Sequence, residues 1–194
     1  MSYASFISNR LKPAVVMIFL MVSLMATLAR AEEARLTDIV ATISGEHLLI
    51  YFKVSDCFTD EMKKAIENGI NTTFTFFVTL YEVRDFQWDN KLADLRVRHD
   101  IVYDNLKKVY KVRLSERDNK AIHVEDFHEA KNFMSKIVGL QVAELKSLRN
   151  GNHYKVRIMA ELEKIKLPLY LDYILFFLSL WDFETDWYTV NFTY

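Results

Sequence analysis

Cysteine, proline and glycine are all scarce in this chain of 194 residues, which contains one, two and four of them. Because Cys57 is alone, no disulfide can form within the chain; it is either a buried thiol or a partner for a second chain. Four glycines are too few for a glycine-rich phosphate loop. The chain must therefore be stabilised by its core, and an aromatic content of 14% supplies large apolar side chains for one.

Residues 1–31 have the features of a secretory signal peptide. Two basic residues precede an apolar run over 14–28, and Ala-Arg-Ala at 29–31 is the small–x–small pattern that signal peptidase recognises. An uncleaved N-terminal anchor is the alternative, but a helix over 14–28 spans about 22 Å against a hydrocarbon core of roughly 30 Å. We therefore predict cleavage after Ala31, export to the periplasm or cell envelope, and no membrane span after cleavage.

Cleavage would leave residues 32–194, and a length of 163 residues suits a single domain. It would remove three of the 25 basic residues and none of the 26 acidic ones, so the net charge would change from −1 to −4. An acidic chain is not expected to bind nucleic acid or an anionic membrane surface as a bulk partner.

Apolar residues alternate with period two along most of the remaining chain, which indicates half-buried strands. These segments lie near 46–54, at 72–84, in a hairpin over 92–115, at 153–162 and at the C-terminus. Such a series of short strands predicts a mainly β fold, specifically an immunoglobulin-like β-sandwich with two or three short helical insertions.

The expected hairpin over 92–115 has one unusual consequence. If Asn-Leu at 105–106 is a two-residue turn, Arg98 lies directly opposite Arg113. Two like charges at one cross-strand position indicate either an anion-binding site or a solvated face on which counter-ions absorb the repulsion.

Three segments have helical patterns. Thr59 can cap a helix over 60–68, and Asp126 can begin a second helix that Gly139 would end. The segment 167–180 is apolar nearly all round, and we expect it to form a short buried helix.

The sequence contains no pattern typical of an enzyme. No serine lies in a G-x-S-x-G elbow, and Cys57 has no local signature of a nucleophile. The histidines lack metal-ligand spacing, and His99, on the inner face of the hairpin, is expected to be a core residue. We therefore predict no catalytic residue, no metal and no cofactor. The histidines are His47, His99, His123, His128 and His153.

The closing segment 179–194 combines aromatic residues with acids, and three interpretations of it remain open. In the first, the rings fill a core while the acids cap a chain reversal. Alternatively, exposed indoles and carboxylates can bind a sugar, or paired carboxylates can hydrolyse a substrate. The candidate binding residues in this segment are Trp181, Asp182, Asp186 and Trp187.

Two stretches of the chain resemble a known bacterial family. "LTDIVATISGEHLLIYFKVSDCFTDEMKKAIENGINTTFTFFVTLYEVR" and "LPLYLDYILFFLSLWDFETDWYTVNFTY" are similar to domain of unknown function 4390, and the most specific motif is L-W-D-F-x-T-D-W-Y at 180–188. The resemblance covers essentially the whole chain after the signal peptide. It implies an exported bacterial protein with no assigned activity and supplies no catalytic residues.

The leading functional hypothesis is a non-enzymatic cell-envelope domain that interacts with another envelope protein. Its expected contact surfaces are exposed sheet edges and a basic face formed by Arg96, Arg98, Lys111 and Arg113. The alternative is a carbohydrate- or peptidoglycan-binding module that uses the closing segment, and a hydrolase built on the same acids ranks third. No oligomeric state is predicted.

Overall fold

The computed structural model describes residues 34–163 and 184–194, all within one compact unit, Glu33–Tyr194. The expected helix over 167–180 lies outside the described residues. The helices are α1 (Asp60–Glu67) and α2 (Phe127–Ser135). The strands are β1 (Arg35–Ser44), β2 (His47–Ser55), β3 (Thr72–Glu82), β4 (Asn90–Asp104), β5 (Val109–Leu114), β6 (Ile122–Val124), β7 (Lys136–Glu144), β8 (His153–Leu162) and β9 (Tyr188–Thr193).

The described strands form two sheets in which every pairing is antiparallel. One sheet has the order β1-β2-β7, and the other has the order β6-β5-β4-β3-β8-β9. Side chains from both sheets belong to one continuous core. The predicted mainly β sandwich with short helices is therefore confirmed, while the strand order does not establish the immunoglobulin-like arrangement.

The core follows from the alternation in β2 and β3. Four side chains of β2 and four of β3 point inward, and each of them is at most 2% exposed. The sheets meet where the rings of Phe52 and Phe76 pack edge to face, with centroids 5.7 Å apart. Because successive side chains of a strand point to opposite faces, a shift by an odd number of residues would turn this set toward solvent. The inward residues are Leu48, Ile50, Phe52, Val54, Phe74, Phe76, Val78 and Leu80.

Cys57 lies inside this core and is 2% exposed. Its thiol donates to the carbonyl oxygen of Val54 at 3.3 Å, and burial raises the pKa of the thiol to about 12. A thiol that is both buried and protonated is a poor partner for a second chain. Of the two roles expected from the sequence, the structure favours the buried thiol.

Both helices begin at the predicted capping residues. Thr59 Oγ1 accepts from the backbone N–H of Met62 at 3.2 Å, and the Asp126 carboxylate accepts from that of Glu129 at 3.1 Å. These bonds satisfy N–H groups that have no partner within a first helical turn. No helix in the described ranges is long and apolar enough to cross a membrane.

The predicted end of α2 at Gly139 is wrong, because the helix ends at Ser135 and strand β7 begins at the next residue. Ile137 continues the helical spacing of apolar residues in the sequence, but in the structure it pairs with Phe52 of β2. Gly139 lies in the left-handed region at φ 68°. A Cβ at that position would lie 3.3 Å from the Tyr51 hydroxyl, so the residue marks an irregularity in the strand pairing and not a helix end.

The predicted register of the hairpin is also wrong, by two residues. Arg113 lies opposite Asp100, and the connection is the four-residue turn 105–108. The Asp104 carboxylate accepts from the backbone N–H groups of Leu106 and Lys107, both at 3.1 Å, which stabilises the longer turn. Since the shift is even, the inner and outer faces stay as predicted.

A buried ion pair joins β4 to the turn after β5 and to α2. The His99 ring is fully buried, with Nε2 3.0 Å from the Glu116 carboxylate and Nδ1 3.0 Å from the carbonyl oxygen of Met134. The carbonyl oxygen of Met134 can only accept, so Nδ1 donates to it, and Nε2 faces the Glu116 carboxylate. His99 is the core histidine expected from the sequence.

Substitution of Glu116 by alanine should destabilise the protein strongly, because it leaves the buried His99 without its counter-ion. We expect the free energy of unfolding, measured by urea denaturation, to fall by about 3 kcal/mol. The exposed Glu125 offers a matched control, since Glu125→Ala should change stability by less than about 0.5 kcal/mol. Equal losses in the two variants would show that the ion pair does not stabilise the fold.

The same pair should lose its effect in acid. Burial raises the pKa of the Glu116 carboxyl, but the hydrogen bond and charge of His99 outweigh burial and hold the pKa below the usual 4.5. Because the folded-state pKa is the lower one, the stabilisation is present above about pH 4.5 and disappears as the pH falls through the folded-state value. The stability difference between wild type and Glu116→Ala should therefore shrink below that pH.

Candidate functional site

The four residues of the predicted basic face do share the outer face of the six-stranded sheet, but two of them are neutralised there. Arg98 lies 3.2 Å from the Glu163 carboxylate, and Lys111 lies 2.6 Å from that of Asp104. The Lys111 ammonium is the main reason that the pKa of Asp104 falls to about 2. These pairs hold two cations in place and reduce the positive charge of the face.

The remaining two residues of the basic face, Arg96 and Arg113, have different neighbours on the sheet. The Arg96 guanidinium lies 4.8 Å from the centre of the Phe77 ring on β3. Arg113 is exposed at the cross-strand position opposite Asp100. Arg98 and Arg113 therefore do not oppose each other, and the argument for an anion site at that position no longer holds.

The closing segment is divided between core and surface. Trp181 and Asp182 lie outside the described residues, so the structure tests only Asp186 and Trp187 among its candidates. Asp186 is exposed, and Trp187 is 41% exposed with the Arg157 guanidinium 4.5 Å above its ring.

The last two aromatic residues of the chain pack inward, whereas Trp187 and Tyr188 of the same segment are 41% and 48% exposed. Phe192 stacks on the buried Tyr154 with ring centroids 5.5 Å apart, and Tyr194 also packs against the core. Thr185 holds the chain before β9 against β8, because its backbone N–H donates to the carbonyl oxygen of Ala160 and its hydroxyl accepts from the backbone N–H of the same residue.

Among the described residues, the most exposed aromatic side chains lie in the loop between β3 and β4. Phe86 is 107% exposed and Trp88 is 95% exposed, so neither ring packs on the domain. We call residues 83–89, which join the two strands, the aromatic tip. Large apolar side chains that are fully exposed and adjacent are typical of binding sites, whereas a single one is common on any surface.

The base of the aromatic tip is held by Glu82, which is 6% exposed at the end of β3. Its carboxylate accepts from the side chains of Asn152 at 2.7 Å and Asn90 at 3.3 Å, and it pairs with Arg84 at 3.4 Å. The amide of Asn152 is the main cause that lowers the pKa of Glu82, followed by that of Asn90. The two strand ends and the turn before β8 are thus joined at one carboxylate.

A second set of contacts holds the other side of the tip. The Asp89 carboxylate pairs with Lys155 of β8 and also accepts from the backbone N–H of Arg84 at 3.4 Å. The bond from Lys155 is the main cause that lowers the pKa of Asp89. The same Lys155 ammonium lies 5.4 Å from the centre of the Tyr81 ring. Both ends of the loop are therefore fixed to the sheet.

The backbone of Phe86 is in the left-handed region at φ 63°. This conformation costs an L-residue on the order of 1–2 kcal/mol, and it is rare for a bulky side chain. Backbone strain of this kind is concentrated at functional sites. The strain therefore adds to the exposure of Phe86 as evidence for a binding role.

Comparison with protein families identifies the chain. The description "Domain of unknown function (DUF4390)" belongs to a family whose sequence profile matches residues 31–191. The chain belongs to this family. Searches of curated proteins and of solved structures found no significant match.

The description of the family assigns no chemistry. In residues 34–163 and 184–194 no group of three or more histidine, cysteine, aspartate or glutamate side chains is placed to hold a metal ion. The aromatic tip is the feature of this DUF4390 domain that sequence reasoning missed. The signal was available, because the loop sequence D-F-Q-W-D between two strands has aromatic residues where turn residues such as glycine or asparagine are usual.

The exposure of the tip predicts that its aromatic residues do not stabilise the fold. Phe86→Ala and Trp88→Ala should each change the free energy of unfolding by less than about 0.5 kcal/mol. The buried Phe76 is the control, since Phe76→Ala should cost about 3–5 kcal/mol. A large loss of stability in either tip variant would show that the tip packs on the domain.

Tryptophan fluorescence gives a second measurement of the same surface. Trp88→Phe should remove more of the acrylamide-quenchable emission than Trp187→Phe, because the exposed fractions are 95% and 41% and Arg157 covers one face of Trp187. Trp181 is present in both variants and cancels in the comparison. The opposite order would contradict the placement of the tip.

Proposed function

We propose that this protein is a non-enzymatic interaction module of the bacterial cell envelope and that it binds another protein there. The N-terminal features of a signal peptide support the location. The observation that supports the binding mode is the aromatic tip, where Phe86 and Trp88 are exposed on a loop held at both ends by Glu82 and Asp89. Aromatic residues are enriched among the few side chains that dominate the affinity of protein interfaces.

Fixation of the loop favours binding for a thermodynamic reason. A flexible loop loses conformational entropy when a partner orders it, and this loss subtracts from the affinity. At the aromatic tip the two ends of the loop are already ordered in the free protein, because Asn90, Asn152 and Lys155 hold them. The left-handed backbone of Phe86 also sets the direction of its Cα–Cβ bond before any partner arrives.

The carbohydrate-binding alternative has less support. A sugar ring stacks on an open face of an indole, and the guanidinium of Arg157 occupies one face of Trp187. The hydrolase alternative is weaker again, because Glu184 and Asp186 are both exposed and a carboxylic acid tuned for general acid catalysis usually lies in an apolar pocket.

Site-specific photocrosslinking in living cells tests the proposal. A benzophenone amino acid at position 86 or 88 should crosslink to one protein, which mass spectrometry identifies. Leu106 is the matched control, since it is 97% exposed in the turn at the opposite end of β4. The purified partner should then bind the wild-type domain, and Trp88→Ala should weaken the affinity about tenfold or more.

Two results would contradict the proposal. Equal crosslinking from positions 86 and 106 would indicate random collision in the envelope. Wild-type affinity of Trp88→Ala and Phe86→Ala for the purified partner would show that the aromatic tip is not the contact surface.

A further inference from the structure

We infer that the aromatic tip inserts into an apolar pocket of the partner protein whose rim is basic, and that the neighbouring loops at the same end of the domain complete the interface. This inference rests on the proposed function and specifies the partner's surface. The size of the tip, the position of the adjacent loops and the charge of Asp85 support it.

The tip is too small to be a whole interface. Phe and Trp bury about 150–250 Å² each, whereas a stable protein complex buries about 800 Å² on each partner. A tip of this size therefore serves as an anchor, and the remaining contact area has to come from the surface around it.

A suitable surface lies at the same end of the six-stranded sheet. Asn152 connects the two, because its side chain donates to Glu82 below the tip and its carbonyl oxygen accepts from the backbone N–H of Tyr194 at 3.2 Å. Tyr194 lines a concavity together with Leu145 and Leu148 of the connection between β7 and β8, and its other lining residues are polar or charged: Glu46, Glu144, Lys146 and Asn150.

The turn between β1 and β2 closes the other side of this concavity. The carbonyl oxygen of Glu46 accepts from the backbone N–H of Leu145 at 2.8 Å, which fixes the turn against the connection. Ile43 at the end of β1 is 49% exposed beside this turn. The end of the domain thus offers a concave surface of mixed apolar and charged side chains next to a projecting aromatic anchor.

The charges of the tip indicate that the rim of the partner's pocket is basic. Arg84 is paired with Glu82, and Asp89 is paired with Lys155. Asp85 is the one charged residue of the tip that has no ion pair or hydrogen bond within the described part of the chain, and it directly precedes Phe86. A pocket that receives Phe86 must therefore accommodate a carboxylate at its edge, and a lysine or arginine there does so most favourably.

The same carboxylate argues against a lipid bilayer as the occupant. Insertion of Phe86 into the interface would bring Asp85 to the headgroups, where anionic lipids repel it. A bilayer also accommodates side chains in many orientations, so it has no need of a loop fixed at both ends. A shaped pocket benefits from such a loop, and we therefore assign the tip to a protein partner.

Charge reversal at Asp85 tests the inference on the partner identified by crosslinking. Asp85→Lys should weaken the affinity about tenfold or more, whereas Glu125→Lys, with the same charge change near the opposite end of β4, should leave it within about twofold. Asp85→Asn should reduce the salt dependence of binding between low ionic strength and about 0.5 M. A benzophenone amino acid at the exposed Asn150 should crosslink to the same partner as position 86.

The outcomes separate this inference from the proposed function. If Trp88→Ala abolishes binding but Asp85→Lys does not change it, the basic rim is wrong and the interaction module stands. If position 150 gives no adduct while position 86 does, the interface does not extend over the concavity. If the domain instead sediments with vesicles of phosphatidylethanolamine and phosphatidylglycerol in a manner that requires Trp88, the anchor binds lipid, and both proposals are overturned.

Discussion

The packing of β2 against β3 is the constraint on which the rest of this structure depends. Phe52 and Phe76 bring the two sheets together, and the alternation of apolar residues along both strands excludes odd register shifts, which would expose the inward side chains. Because β3 pairs with β4 on one side and β8 on the other, fixing β3 also fixes the end of the sheet at Glu82. The position of the aromatic tip is thus a consequence of core packing some distance away.

Two acidic residues with little exposure, Glu116 and Glu82, have different roles in this structure. Glu116 bonds to His99 and so joins the turn after β5 to β4, which contributes to the stability of the sandwich itself. Glu82 joins the ends of β3 and β4 to the turn before β8, and its bonds restrict a loop that contributes nothing to the core. The chain uses the same chemistry to stabilise the fold in one place and to orient an exposed surface in the other.

The sequence was sufficient for features that depend on a short-range pattern. Alternation identified β2, β3 and β8, and the capping residues Thr59 and Asp126 located the starts of both helices. It was insufficient where two arrangements share a pattern. A shift of two residues preserves the faces of a hairpin, so periodicity could not choose between a turn at 105–106 and one at 105–108. Ile137 fits helical spacing as well as strand pairing, and only the contact with β2 decides between them.

The aromatic tip was missed for a different reason, which also indicates its role. Sequence patterns find residues that serve the fold, and Phe86 and Trp88 serve it in no way, since neither is buried. Exposed rings at a loop apex increase the risk of aggregation, and the left-handed backbone of Phe86 adds strain. The two ends of this loop are nevertheless fixed by contacts of Glu82, Asp89 and Lys155. Core packing explains neither the exposed rings nor the strained backbone of the tip. Together with the fixed ends of the loop, these features support the proposed role of the tip in binding a partner.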